Sequence, residues 1–329
     1  MDRRNVNTLV LALCTLVVPT NALPQGPSTP RRLGALIASN PAVSERHSGL
    51  LDSELRRLGW VEGRNLSSVY RFAAGDLSRF DALAAELVAL KPDVLFSWGT
   101  PGTVALQRAT QTIPIVMAGP ADPVALGLVK SLARPGGNLT GITIDGGLEV
   151  EAKRLQLLKE LVPGMSRVTL IYNPADPGAP LRFAGVRDAA RVMNVQVESL
   201  VVRDSDDIEP MLSELSRRKP DAVYVFATTA ITANREAVCA GLAKLRLPSS
   251  AALPPFVNAG CLMTYSSSDG EIAHQVATYI DQILRGANPA DLPVRQPSRY
   301  ELVLNAQTAK AIGLTISSKF KVRADRVIE

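Results

Sequence analysis

The sequence is poor in the residues that carry most enzymatic chemistry. Its 329 residues include two histidines, His47 and His274, and three cysteines. Nothing in the chain places an acid partner or a nucleophile beside either histidine, and a single helical histidine is ordinarily a surface or supporting residue. There is no G-x-G-x-x-G after the first strand, no phosphate loop, no G-x-S-x-G, no H-E-x-x-H and no C-x-x-C. Dinucleotide, phosphoryl-transfer, serine-hydrolase, zinc-protease and dithiol chemistry therefore lack their usual frames; no enzyme, cofactor or metal is expected. The formal charge is +5, but the basic residues are scattered. Short clusters such as Arg56-Arg57 and Arg217-Arg218-Lys219 are what solvated helix faces carry, and no basic stripe with interleaved aromatics suggests a nucleic-acid partner. Beyond the N-terminus no apolar run approaches the length of a membrane span.

What is present begins at that N-terminus. Asp2-Arg3-Arg4-Asn5 precedes the apolar run Leu9–Val18, and Thr20-Asn21-Ala22 offers small residues where signal peptidase cuts. Residues 1–22 read as a cleaved secretory signal peptide, too short for an anchor, giving a periplasmic product. Leu13 before Cys14 argues against lipidation. Residues 23–30, with three prolines, form a flexible leader. Cys239 and Cys261 then remain; an oxidising compartment permits a disulfide, and two buried free thiols fit the sequence as well.

The remaining length and 46% hydrophobic content suit two cores. The central stretch, Glu86–Val129, alternates strand and helix. Val94–Phe96 follows Lys91-Pro92-Asp93 and ends at Gly99-Thr100-Pro101-Gly102, which opens a helix. Ile113–Met117 follows and ends at Ala118-Gly119-Pro120, with Asp122-Pro123 expected to start the next helix. The same grammar returns in Lys219-Pro220-Asp221, the run Ala222–Ala227 and Thr228-Thr229. Leu33–Ala38 with Ser39-Asn40-Pro41 is likewise echoed by Val168–Tyr172 with Asn173-Pro174. The expectation is an α/β fold of two Rossmann-like lobes, each a parallel sheet with flanking helices, joined by a three-segment hinge. Residues 31–142 plus 265–297 are assigned to lobe 1, and 143–264 plus 298–329 to lobe 2.

Open α/β sheets bind ligands at the carboxyl ends of their strands, so the candidate site residues are polar groups there. Ser39 and Asn40 follow the first strand. Trp98, Gly99, Thr100 and Pro101 follow the central one, where backbone N–H groups at a helix start suit a carboxylate. Asp122 is a candidate for an ammonium group and equally for a purely structural N-cap. Asn173, Thr228 and Thr229 are the second-lobe equivalents. Trp98 and Tyr265 are candidates to flank an apolar ligand, and Ser266 follows Tyr265.

With these residues in place, the chain resembles the bacterial ABC-transporter substrate-binding proteins of the type I periplasmic fold, in the branch that includes tryptophan and other aromatic amino-acid binders. The resemblance is carried by Leu58–Asn65 (LGWVEGRN), Gly99-Thr100-Pro101, Asp122–Val129 (DPVALGLV), Leu132–Gly141 (LARPGGNLTG), Asn173-Pro174, Leu262–Tyr265 (LMTY) and Ala309–Ile316 (AKAIGLTI). It implies lobes that close on a small-molecule solute, an ABC permease and ATPase complex as partner, and a monomer. Ser266-Ser267-Ser268 and Leu253-Pro254-Pro255-Phe256 depart from the family pattern near the expected cleft. An amino acid or small carboxylate is the favoured solute. A periplasmic sensing subunit and a secreted α/β enzyme are the alternatives.

Overall fold

The computed structural model describes residues 29–120, 122–143 and 147–329, with residues 42–47 and 148 described by backbone alone. The signal peptide and nearly all of the leader lie outside these residues, as does the side chain of His47.

The first lobe follows a strand–helix alternation: β1 (Arg31–Ile37), α1 (Pro41–Arg57), β2 (Leu66–Phe72), α2 (Phe80–Ala89), β3 (Val94–Trp98), α3 (Thr100–Ala109), β4 (Ile115–Ala118) and β5 (Leu139–Ile142). The strands are all parallel, in the order β2-β1-β3-β4-β5. β4 and β5 are buried throughout, as parallel strands covered on both faces must be. The helix expected from Pro123 does not form. Asp122 accepts the backbone N–H groups of Val124 and Ala125, but Gly127 at φ +68° turns the chain out of the helical path after one turn.

Helix α4 (Leu148–Leu161) then opens the second lobe. It continues through β6 (Arg167–Tyr172), α5 (Ala179–Val192), β7 (Gln196–Val201), α6 (Ile208–Arg218), β8 (Ala222–Val225), α7 (Thr229–Ala233), α8 (Arg235–Lys244), β9 (Ser249–Ala251), α9 (Pro254–Asn258) and β10 (Met263–Ser267). Next come α10 (Asp269–Leu284), β11 (Tyr300–Asn305), α11 (Ala306–Ile312), α12 (Ser318–Lys321) and β12 (Arg326–Ile328). The second sheet has the order β12-β11-β10-β9-β8-β6-β7. Its stretch β7-β6-β8-β9-β10 repeats the strand order of the first sheet. β11 is added antiparallel to β10, a departure from the all-parallel expectation.

The Lys-Pro-Asp repeat has one structural cause in both lobes. Lys91 and Lys219 take left-handed φ values of +50° and +47° and end α2 and α6. Asp93 and Asp221 then accept backbone N–H groups at the start of the neighbouring strand, from Arg32 and from Ser166 and Arg167.

The lobes exchange helices. After β5, α4 packs Leu155, Leu158 and Leu161 against Val168, Leu170 and Tyr224 of the second sheet. After β10, α10 packs Ile272, Val276 and Ile280 against Leu33, Phe96 and Val116 of the first. The chain passes along β5 once more: Thr140 Oγ1 donates to the Leu292 carbonyl at 2.6 Å and Arg295 N–H to the Gly141 carbonyl at 3.0 Å. It then returns to the second sheet as β11. β10 lies wholly in the second sheet, so Tyr265–Ser267, assigned from sequence to the segment returning to lobe 1, are second-lobe residues; the strand runs three residues past Thr264. Cys239 and Cys261 form a disulfide with Cα atoms 4.8 Å apart, linking α8 to the turn before β10.

Candidate functional site

The carboxyl ends of both sheets face one cavity of about 1190 Å³, counting its mouth. In the first lobe, β1, β3 and β4 deliver its wall. Gly99 and Gly119, at the ends of β3 and β4, meet backbone to backbone: Gly99 N–H donates to Ala118 O at 2.7 Å, and a Cβ on Gly119 would sit 2.6 Å from the Gly99 Cα. That contact aims the start of α3 at the cavity. Trp98 meets Phe96 edge to face with ring centroids 6.3 Å apart. Tyr70 lines the same wall, its hydroxyl donating to Asp52 at 2.7 Å.

Of the candidate residues, Ser39, Trp98, Gly99, Thr100, Pro101, Thr228 and Thr229 line this cavity together. The others do not. Asp122 is occupied in its turn. Asn173 is buried and shapes the loop after β6, accepting Ala175 N–H at 3.0 Å and donating to Arg203 O at 3.3 Å. Tyr265 stacks on Tyr300 with centroids 5.5 Å apart and packs into the second-lobe core. Ser266 is buried beside it in β10, and Asn40 lies outside the lining.

The cavity also takes residues that strand-end patterning did not select. Asp176, Gly178, Ala179 and Arg182 come from the loop after β6 and the start of α5; Thr232 and Arg235 come from α7 and α8. Leu253 and Pro255, from the proline-rich segment, close one side. Helix α5 begins at Ala179, directly after a stretch with Pro174, Pro177 and Gly178 and with Pro180 in its first turn, so no apolar period marks Arg182 as a helical residue. For Asp176 the available signal was the Asn173-Pro174 turn, which commits the next residues to the cleft.

Arg182 is held from behind. Its Nε pairs with Glu151 at 2.5 Å, and its guanidinium lies 4.8 Å from the centroid of the Phe226 ring. Glu151 also pairs with Arg154 at 3.2 Å and accepts the Tyr224 hydroxyl. Glu151, Arg154 and Tyr224 are all fully buried. Burial alone would raise the Glu151 carboxyl, but Arg182 and Arg154, with the Tyr224 and Arg182 hydrogen bonds, outweigh it and hold it below the ordinary range. Arg154 Nε in turn donates to Tyr265 O at 2.7 Å. The network thus joins the cavity to α4 and β10, the first elements on either side of the crossings.

Two cavity groups are notable for what they lack. Thr228 is 2% exposed, and among the described residues its hydroxyl has no hydrogen-bond partner. Asp176 is 7% exposed. Burial pushes its carboxyl up to about 6, against the Gly178 N–H, the Arg182 charge and the Thr229 N–H.

The model of a family described as "ABC transporter substrate binding protein" matches residues 35–328. The chain belongs to that family. It is 26% identical over 291 residues, 88% of its length and 81% of the other's, to a tyrosine-binding protein of Clostridioides difficile strain R20291. A crystal structure of a conserved domain protein from Vibrio cholerae superposes with a TM-score of 0.84 at 26% identity, covering 90% of this chain and 99% of that one. A Streptococcus pneumoniae ABC domain in complex with L-Trp also gives 0.84, at 24% identity, covering 91% and 100%. This substrate-binding protein thus has the two-lobe architecture of its relatives over nearly the whole described chain. Among the described residues no helix is long and apolar enough to cross a membrane.

Its lobes touch on both flanks of the cavity. A Cβ on Gly178 of the second lobe would lie 3.1 Å from Thr100 Oγ1 of the first. One on Gly75 of the first would lie 2.9 Å from Ala233 Cβ of α7.

Proposed function

We propose that this protein captures an amino acid with an aromatic side chain between its lobes in the periplasm and delivers it to an ABC permease and its ATPase. The observation that carries the reading is the division of the cavity. Phe96, Trp98 and Tyr70 offer an aromatic wall on one lobe, and Asp176, Arg182, Thr228 and Arg235 offer charged and polar groups on the other. A zwitterion with a flat apolar side chain is complementary to both halves, and enclosure between lobes desolvates it. The tyrosine-binding relative and the L-Trp complex support the same ligand class. No groups suited to bond-breaking are needed for this role, because the work is done by closure: binding favours the closed arrangement, which a permease can distinguish from the open one.

A thermal-shift and calorimetric panel of amino acids, sugars and nucleosides on the mature chain tests it. An aromatic amino acid at one hundred times its Kd stabilises the protein by about 2.7 kcal/mol, a clear rise in melting temperature. A shift with a neutral sugar or nucleoside, and none with any amino acid, refutes the assignment.

A further inference from the structure

Among the described residues Asp176 is the one carboxylate lining the cavity, and its charge has no evident structural use. Gly178 N–H donates to its Oδ1 at 3.2 Å and the Thr229 backbone N–H also donates to it. These bonds tie the loop after β6 to the start of α7. An amide oxygen in the same place accepts both, so loop-tying explains an acceptor but not an acid. Among the described residues the carboxylate makes no ion pair. The charged groups facing it are Arg182 of α5 and Arg235 of α8 on the cavity wall, with Glu151 of α4 behind Arg182. Arg182 pairs with Glu151, and Arg235 pairs with Glu236 at 2.6 Å. The facing wall of the first lobe contributes Ser39, Thr100 and Trp98, and among the described residues its one titratable group is Tyr70. A buried acid without its own cation bears a desolvation cost that a cationic partner offsets.

We propose that Asp176 accepts the ammonium group of the bound amino acid, so that the protein selects amino acids over the corresponding deaminated acids. The inference rests on the amino-acid reading above and assigns the atom that enforces it. It also links binding to pH. The ammonium needs the ionised carboxylate, and burial has moved that ionisation up to about 6. Affinity for the amino acid is therefore full above that pH and falls as pH drops through it, whereas a ligand without the amine lacks this dependence.

The test is calorimetry on the full mature chain with L-tryptophan, L-tyrosine and their deaminated analogues, indole-3-propionate and 3-(4-hydroxyphenyl)propionate, at about pH 7.5 and about pH 5. A charged hydrogen bond of this kind corresponds to roughly 10- to 150-fold in Kd. Wild type is expected to bind an amino acid at the higher pH, at least tenfold more weakly at the lower, and the deaminated analogue at least tenfold more weakly at both. Asp176→Asn is expected to lose the preference for the amine while melting, unliganded, no lower than wild type. Should that variant fold poorly, the analogue and pH comparisons on wild type still decide. Equal binding of amino acid and deaminated analogue by wild type overturns the role of Asp176 alone, as does a folded Asp176→Asn that keeps wild-type affinity. Failure of every amino acid to bind wild type overturns the parent reading and this one with it.

Discussion

At the scale of single residues, the cleft is marked by polar atoms whose needs the protein does not meet. Thr228 is the plainest case, because a buried hydroxyl without a partner costs stability that folding must absorb. Thr228→Val is nearly isosteric and removes the hydroxyl. If the solute meets that oxygen, the variant binds its ligand more weakly by about 1–3 kcal/mol, yet melts unliganded at the same or a higher temperature. Paired titration calorimetry and thermal melts check both halves. Loss of stability with unchanged affinity would instead make Thr228 a core residue. The residues of the lining that can be read from sequence alone share one local rule: Ser39, Trp98–Pro101, Thr228 and Thr229 each follow an apolar run that ends in a parallel strand. Asp176, Arg182 and Arg235 obey no such rule. They reach the cavity because α5 and α8 start where tertiary packing puts them, and the pairing of Arg182 with Glu151 spans 31 positions. Asp122 and Tyr265 look the part in sequence, but a turn and a core claim them first.

At the scale of elements, one helix end and strand entry in each lobe was legible in a repeat of three residues, since Lys-Pro-Asp marks both. The short pieces were not legible. β9 has three residues and α7 and α9 five each, too few to show a period. They matter because α7, α8 and α9 carry Thr229, Arg235 and Pro255. The Cys239–Cys261 bridge clamps this group: α8 is tied to the turn that leads from α9 into β10, and Cys239 Sγ rests against the Phe256 carbonyl at 3.3 Å. With the cysteines 22 positions apart, chain-entropy arguments assign the bridge about 3 kcal/mol. Changing both cysteines to serine is therefore expected to lower the unfolding free energy by about that amount, moving the denaturant midpoint down, and also to weaken solute binding, because Arg235 and Pro255 lose their brace. Equilibrium unfolding in urea, followed by a binding titration on the folded variant, measures the two effects separately.

At the scale of the whole molecule, two glycines set how closely the lobes approach. Gly178 has ordinary right-handed dihedrals, φ −85° and ψ −17°, so a larger residue strains nothing locally and acts only across the interface. Gly178→Val places its methyl groups against Thr100. The variant is expected to fold and melt like wild type when unliganded, to bind solute about tenfold or more weakly, and to contract less on adding ligand in small-angle scattering. Full contraction with full affinity would show that the contact does not limit closure. The exchange of helices between lobes also bears on when the protein can acquire its structure. The face of the first sheet that α10 covers stays bare until residues 269–284 have been synthesised, more than a hundred positions after β5, and α4 lacks its sheet until β6 and β8 arrive. Neither half can mature on the ribosome ahead of the other, so final assembly waits for nearly the entire polypeptide. Contacts so distant in sequence slow folding, and a chain that stays unfolded until its last third emerges is one a translocase can still thread.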